Sequence, residues 1–158
     1  MFGLSLHAFT LLHVAISLIA IAGGLVFFIA LSAGRWLGTT NLVFLVFTIL
    51  TSVTGFQFPP KPIGPPHIFG AVSLILLAVA LYALYGARLA GAWRRVYLAT
   101  MLIAQWLNMV VLVVQSYQKI PALHALAPNG AEPAVAVSQG VVLVAVAVAG
   151  WRTLRRRA

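Results

Sequence analysis

The chain has 158 residues, of which 63% are hydrophobic and 7% charged, with a formal net charge of +9. Soluble domains carry about 25% charged residues, so this composition cannot cover a water-facing surface and points to an all-α integral membrane protein. The ten Lys and Arg lie in short breaks between apolar runs, the position of charges that flank membrane helices and not of a nucleic-acid footprint.

Residues 1–34, 36–60, 62–87, 96–118 and 133–151 contain no Lys, Arg, Asp or Glu. Each run reaches or nearly reaches the ~20 residues that a spanning helix needs. A bundle of about five transmembrane helices is expected, over about 5–31, 39–57, 67–89, 94–118 and 134–152.

The first span lacks the basic start and the small-residue cleavage site of a signal peptide, so it is read as a mature helix. His13, Ser17, Ala20 and Gly24 share one of its faces, and Gly23-Gly24 invites close approach by another helix. The second span places Thr48, Thr51, Ser52 and Gly55 on one face, with Thr54 and Gln57 toward its end. The connection Phe58 to Pro66 holds five prolines and is expected to be stiff and extended.

His67 opens the third span, followed on its face by Ala71, Leu74 and Ala78. The fourth carries Gln105, Asn108, Gln115 and Lys119 at near-helical spacing, with Trp106 near its middle. In the connection from Lys119 to Pro133, Pro121 to Ala127 suits a short interfacial helix and Pro128-Asn129-Gly130 a turn. The fifth span offers Ser138 and Gln139. No internal repeat or second domain is evident, so residues 1–158 are read as one transmembrane helical domain.

Arg35, Arg88, Arg94, Arg95, Arg152, Arg155, Arg156 and Arg157 fall on one side of the bilayer in this topology, and Lys61, Lys119 and Glu132 on the other. The excess of basic residues predicts the N-terminus outside and the C-terminus in the cytoplasm. Trp36, Trp93, Trp151, Tyr82 and Tyr85 then form an aromatic belt on the inner side.

Cysteine and aspartate are absent, and Glu132 is the sole carboxylate side chain. Disulfides, thiolate chemistry and paired-carboxylate catalysis are excluded, and no catalytic residue is assigned. The polar residues of the spans are the informative ones, because polarity facing lipid gains nothing. His13, Thr54, Gln57, His67, Gln115, Ser138 and Gln139 all fall in the outer half, with Gln105 and Asn108 deeper. No comparable set is read in the inner half. These groups suit either a polar pocket open to the outside or hydrogen bonds that join helices. His7 and His124 are read as interfacial.

The stretches Leu50-Thr51-Ser52-Val53-Thr54-Gly55-Phe56 and Leu112-Val113-Val114-Gln115-Ser116-Tyr117-Gln118-Lys119-Ile120-Pro121-Ala122-Leu123 resemble an uncharacterised bacterial family of small multi-pass inner-membrane proteins. The resemblance implies a bacterial inner membrane, and neither an activity nor site residues. The chain is also loosely similar to the diheme cytochromes b of the b561 type, which hold haem between histidines on neighbouring helices. It departs from them in lacking histidine pairs at two depths.

Three functions are weighed. The first is a non-catalytic membrane protein, an accessory subunit with other membrane subunits and the lipid bilayer as partners, and no nucleic acid. The second is a redox or ligand-binding protein in which His13 and His67 hold a b-type haem or a metal, or hydrogen-bond a quinone with Gln115 or Gln139 assisting. The third is a transporter or channel for a small neutral solute along Gln105 and Asn108.

Overall fold

The structure, a computed structural model, describes residues 3–58 and 64–155, the side chains of residues 65 and 66 excepted. Its elements are α1 (Leu6–Ser32), α2 (Gly38–Gly55), α3 (Pro65–Leu81), α4 (Trp93–Lys119), the single turn α5 (Pro121–His124) and α6 (Pro133–Arg155). Five spans are long and apolar enough to cross a membrane: α1, α2, His67–Gly86, α4 and α6. The protein is therefore an all-helical, multi-pass membrane protein. Helices suit this setting because each satisfies its own backbone where no water can.

Local chemistry marks the helix starts. The Ser5 hydroxyl accepts the Ala8 N–H at 3.2 Å and caps α1. The helices α3, α5 and α6 each open on proline, whose fixed φ and missing N–H suit a first turn. At the end of α1, Gly34 adopts φ +83, and the Arg35 N–H returns to the Ala30 carbonyl at 2.9 Å. A left-handed residue just past the last turn is the usual reason for a glycine there.

The boundaries differ from the sequence reading in places with clear causes. The second helix stops at Gly55 and not 57, because the Gln57 N–H turns back to the Thr54 carbonyl at 3.0 Å. The third was expected to reach 89. It widens instead into a π-helix over Tyr82–Gly86 and then breaks, with Arg88 at φ 50 and Leu89 at φ 57. Each left-handed non-glycine residue costs about 1–2 kcal/mol. Leu89 packs against the core in return. The last helix runs three residues beyond the expected 152, to Arg155. Of the short helix expected over 121–127 only the turn Pro121–His124 forms, and Gly130, at φ +73, closes the following turn on Ala127.

The helices pack in chain order, α1 on α2, α2 on α3, α3 on α4 and α4 on α6, and α6 returns to α1. The ring is closed, with α1 also against α4. Antiparallel neighbours gather Arg35, Arg88, Arg94, Arg95, Arg152 and Arg155 at one end, called here the arginine end. His7, His67, Lys119, His124 and Glu132 lie at the opposite, histidine end, with His13 about two turns into α1. Lys61, Arg156, Arg157 and most of the five-proline connection lie outside the described residues. The buried apolar core is offset toward the arginine end, where Phe27, Phe44, Leu77, Leu98 and Met101 interlock.

Candidate functional site

The polar residues of α4 reach in several directions. Gln105, 2% exposed, donates Nε2 to the Ile21 carbonyl of α1 at 3.2 Å. One turn on, Asn108 donates Nδ2 to Thr48 Oγ1 of α2 at 3.3 Å. Near the histidine end the Tyr117 hydroxyl meets Ser138 Oγ at 3.0 Å and the Ala134 carbonyl at 3.2 Å, both on α6. From α6, Gln139 donates Nε2 back to the Val110 carbonyl at 3.1 Å. Such bonds average about 0.6 kcal/mol each inside membranes. They fix which helix faces which, and their chemistry is that of a scaffold.

Small residues make the approach close enough. A Cβ on Gly23 would stand 3.3 Å from the Phe44 backbone nitrogen, so α1 and α2 touch nearly backbone to backbone. A Cβ on Gly24 would stand 2.7 Å from Gln105 Cδ. Ser52 and Thr54 behave differently, donating to carbonyls one turn back in their own helix, Thr48 at 3.0 Å and Leu50 at 2.7 Å.

His13 stands apart from this framework because its partner orients it without using up the ring. Its Nδ1 lies 2.7 Å from Thr54 Oγ1. Thr54 Oγ1 lies 2.7 Å from the Leu50 carbonyl as well, and assigning its one hydrogen to that helical back-bond makes His13 Nδ1–H the donor to Thr54. That assignment leaves Nε2 as a lone pair. An imidazole held through one nitrogen by an oxygen acceptor is the arrangement that orients histidine ligands and acceptors generally. Around it the Phe58 ring stands edge-on at 5.2 Å, with Phe9 edge-on to Phe58 at 5.0 Å. Gly55 leaves room at the imidazole edge, where a Cβ would stand 3.7 Å from Cε1.

His67 is positioned by other means. Its Nδ1 accepts the Gly64 N–H at 3.4 Å across the first turn of α3. Its ring faces Phe56 at 6.1 Å, whereas Gly55 faces His13. Among the described residues no hydrogen bond or ring contact joins the two histidines, and no three His, Cys, Asp or Glu gather as a metal site.

The remaining candidates divide. Gln115 is exposed and makes no side-chain hydrogen bond among the described residues, and Gln57 is half-buried without one. Gln105, Asn108 and Gln139 are bound to neighbouring helices, and Thr54 to His13. The oxygens of Gln105 and Gln139 and the indole nitrogen of Trp106 are buried without a partner among the described residues.

In the arginine-end half, where no set comparable to that of the outer half is expected, one polar pair is buried. The Tyr97 hydroxyl, fully buried on α4, donates to Asn41 Oδ1 of α2 at 2.6 Å. An amide early in an apolar span was the available signal. Thr153, near the end of α6, is also buried there. Beyond the spans, Glu132 gathers the 129–132 turn. Its carboxylate accepts from the Asn129 backbone at 2.9 Å, the Asn129 amide at 3.1 Å and the Ala131 backbone at 3.0 Å. The Asn129 backbone bond, first among these, holds its carboxyl below the usual carboxylate range.

Comparisons with protein-family models, curated proteins and solved structures give no match to this chain. The functional reading rests on the geometry.

Proposed function

We propose that the chain is a non-catalytic, multi-pass protein of the bacterial inner membrane that serves as an accessory subunit of a larger membrane complex. Its N-terminus is outside and its arginine end faces the cytoplasm. The supporting observation is the use of its buried amides and hydroxyls. Gln105, Asn108, Tyr117 and Gln139 each join α4 to another helix, so the polar groups stabilise a fixed bundle. Mild-detergent extraction from native membranes, cross-linking and mass analysis test this. A stoichiometric membrane partner whose assembly fails when the chain is deleted is the expected result. A monomer without partners after cross-linking in the native membrane would overturn it.

A second reading is favoured by His13. Its anchored Nδ1 and bare Nε2 suit a ligand at the histidine end, a haem iron or metal ion through the lone pair, or a quinol hydroxyl donating to it. An ultraviolet–visible spectrum after haem-replete expression, with mass analysis of extracted quinones and of bound metal, decides it. A Soret band would support the haem form, a stoichiometric metal or quinone lost in His13→Ala the other forms, and absence of all three would remove the reading.

A further inference from the structure

We propose that the arginine end is a binding surface for anionic phospholipid headgroups, gripped by guanidinium groups from three separate parts of the chain. The first observation is a choice of residue. All six described arginines lie around this end, while the one described lysine, Lys119, lies at the other. Orientation in a membrane needs positive charge alone, which lysine supplies equally. Arginine adds a planar fork of donors that matches phosphate oxygens two at a time.

The second observation is convergence. Trp36, beside Arg35, packs on Tyr97 in the second turn of α4 with ring centroids 6.0 Å apart. Tyr82 of the π-helix meets Trp93 at the start of α4 at 5.0 Å, which draws in the reversal that carries Arg88. A Cβ on Gly150 of α6 would stand 3.2 Å from Leu102 of α4, so the last turn of α6, with Arg152 and Arg155, runs on toward the end of α4 that carries Arg94 and Arg95. The left-handed Arg88-Leu89 pair directs Leu89 to the core and leaves Arg88 exposed.

The third observation is charge balance. The sequence has no aspartate, and its one glutamate lies at the opposite end, bound by Asn129 and Ala131. Six described guanidinium groups therefore share an end without a carboxylate side chain among the described residues. Exposed Trp93, Trp151, Tyr82 and Tyr85 stand at the same level, and Arg155 lies 4.6 Å over the Trp151 ring. Indole and phenol rings beside cations mark headgroup depth. At that depth the membrane supplies phosphates, and the aromatic collar fits a lipid better than an acidic protein in bulk water.

Native mass spectrometry of the purified full chain, supplied with phosphatidylglycerol or phosphatidylcholine, tests this. Preferential retention of phosphatidylglycerol is expected, weakened by about fivefold for each guanidinium removed in Arg94→Gln, Arg95→Gln, Arg152→Gln and Arg155→Gln. The matching Arg→Lys set keeps the charge and insertion signal, and is expected to retain less phosphatidylglycerol than the parent. Lys119→Gln at the other end is expected to retain as much. Equal retention of the two lipids, full retention by the lysine set, or displacement by an equal concentration of inorganic phosphate would overturn the proposal. So would an acidic protein that co-purifies and holds the same arginines.

Discussion

The Gln105 carboxamide occupies the space that a side chain on Gly24 would need. The glycine on α1 and the amide on α4 are one device, since the missing Cβ admits the amide and the amide then bonds Ile21, three residues back along α1. Gly24→Ala is expected to displace the amide, break that bond and press on the Phe44 ring, which a Cβ would meet at 3.1 Å. Overpacking of this kind costs about 1–3 kcal/mol. The variant should melt earlier in detergent. Gly24→Ala combined with Gln105→Ala should be less destabilised than the sum of the single changes, and additive effects would count against the coupling.

At the histidine end, the Thr54 hydroxyl fixes the His13 ring. Nitrogen-15 spectra of histidine-labelled protein should show His13 with hydrogen on Nδ1 and a bare Nε2. Thr54→Val removes the acceptor, should abolish that preference and should cost about 0.6–1.7 kcal/mol of stability. Hydrogen on Nε2 in the parent protein would contradict the assignment.

The Asn41–Tyr97 bond joins α2 to α4 inside the apolar core. Tyr97→Phe leaves the Asn41 oxygen buried without its donor, at a cost of about 1–3 kcal/mol. Asn41→Leu in the same chain removes the stranded group and should recover part of the loss. Thermal melts of the single and double variants measure both steps.

Glu132 gives the 129–132 turn a pH dependence with a definite sign. Its folded-state carboxyl is held low, so its contribution is full above the unfolded value and is lost as pH falls through the lower folded value. The turn should loosen below about pH 4.5. Pepsin cleavage at residues 125–132 should rise there, and Glu132→Gln should be cleaved already at the upper end of pepsin's range. Cleavage of the parent that does not change with acidity would refute this.

Much of the fold was legible because a bilayer imposes few rules. Five uninterrupted apolar runs gave five spanning helices, displaced by a few residues at their ends. The ends shifted where backbone geometry intervened, as at the π-helix, which ends on Gly86, and at the left-handed Arg88-Leu89 pair, where neither residue is a glycine. The polar residues were legible as a set but not as pairs. Helical periodicity groups Gln105 with Asn108, yet cannot say that one meets α1 and the other α2. It also placed Gln115 with them, and that side chain is exposed.

The sequence by itself determined the class of solvent, the number of crossings and the gathering of arginines at one end. These follow from hydropathy and from alternation of antiparallel helices, which are properties of single segments. Tertiary structure alone decided that α6 closes the ring on α1, that Gly24 receives Gln105, and that Thr54 meets Nδ1 of the His13 ring. Those depend on the rotation of each helix about its axis, which small residues and a few interhelical hydrogen bonds settle only when all the helices are packed together.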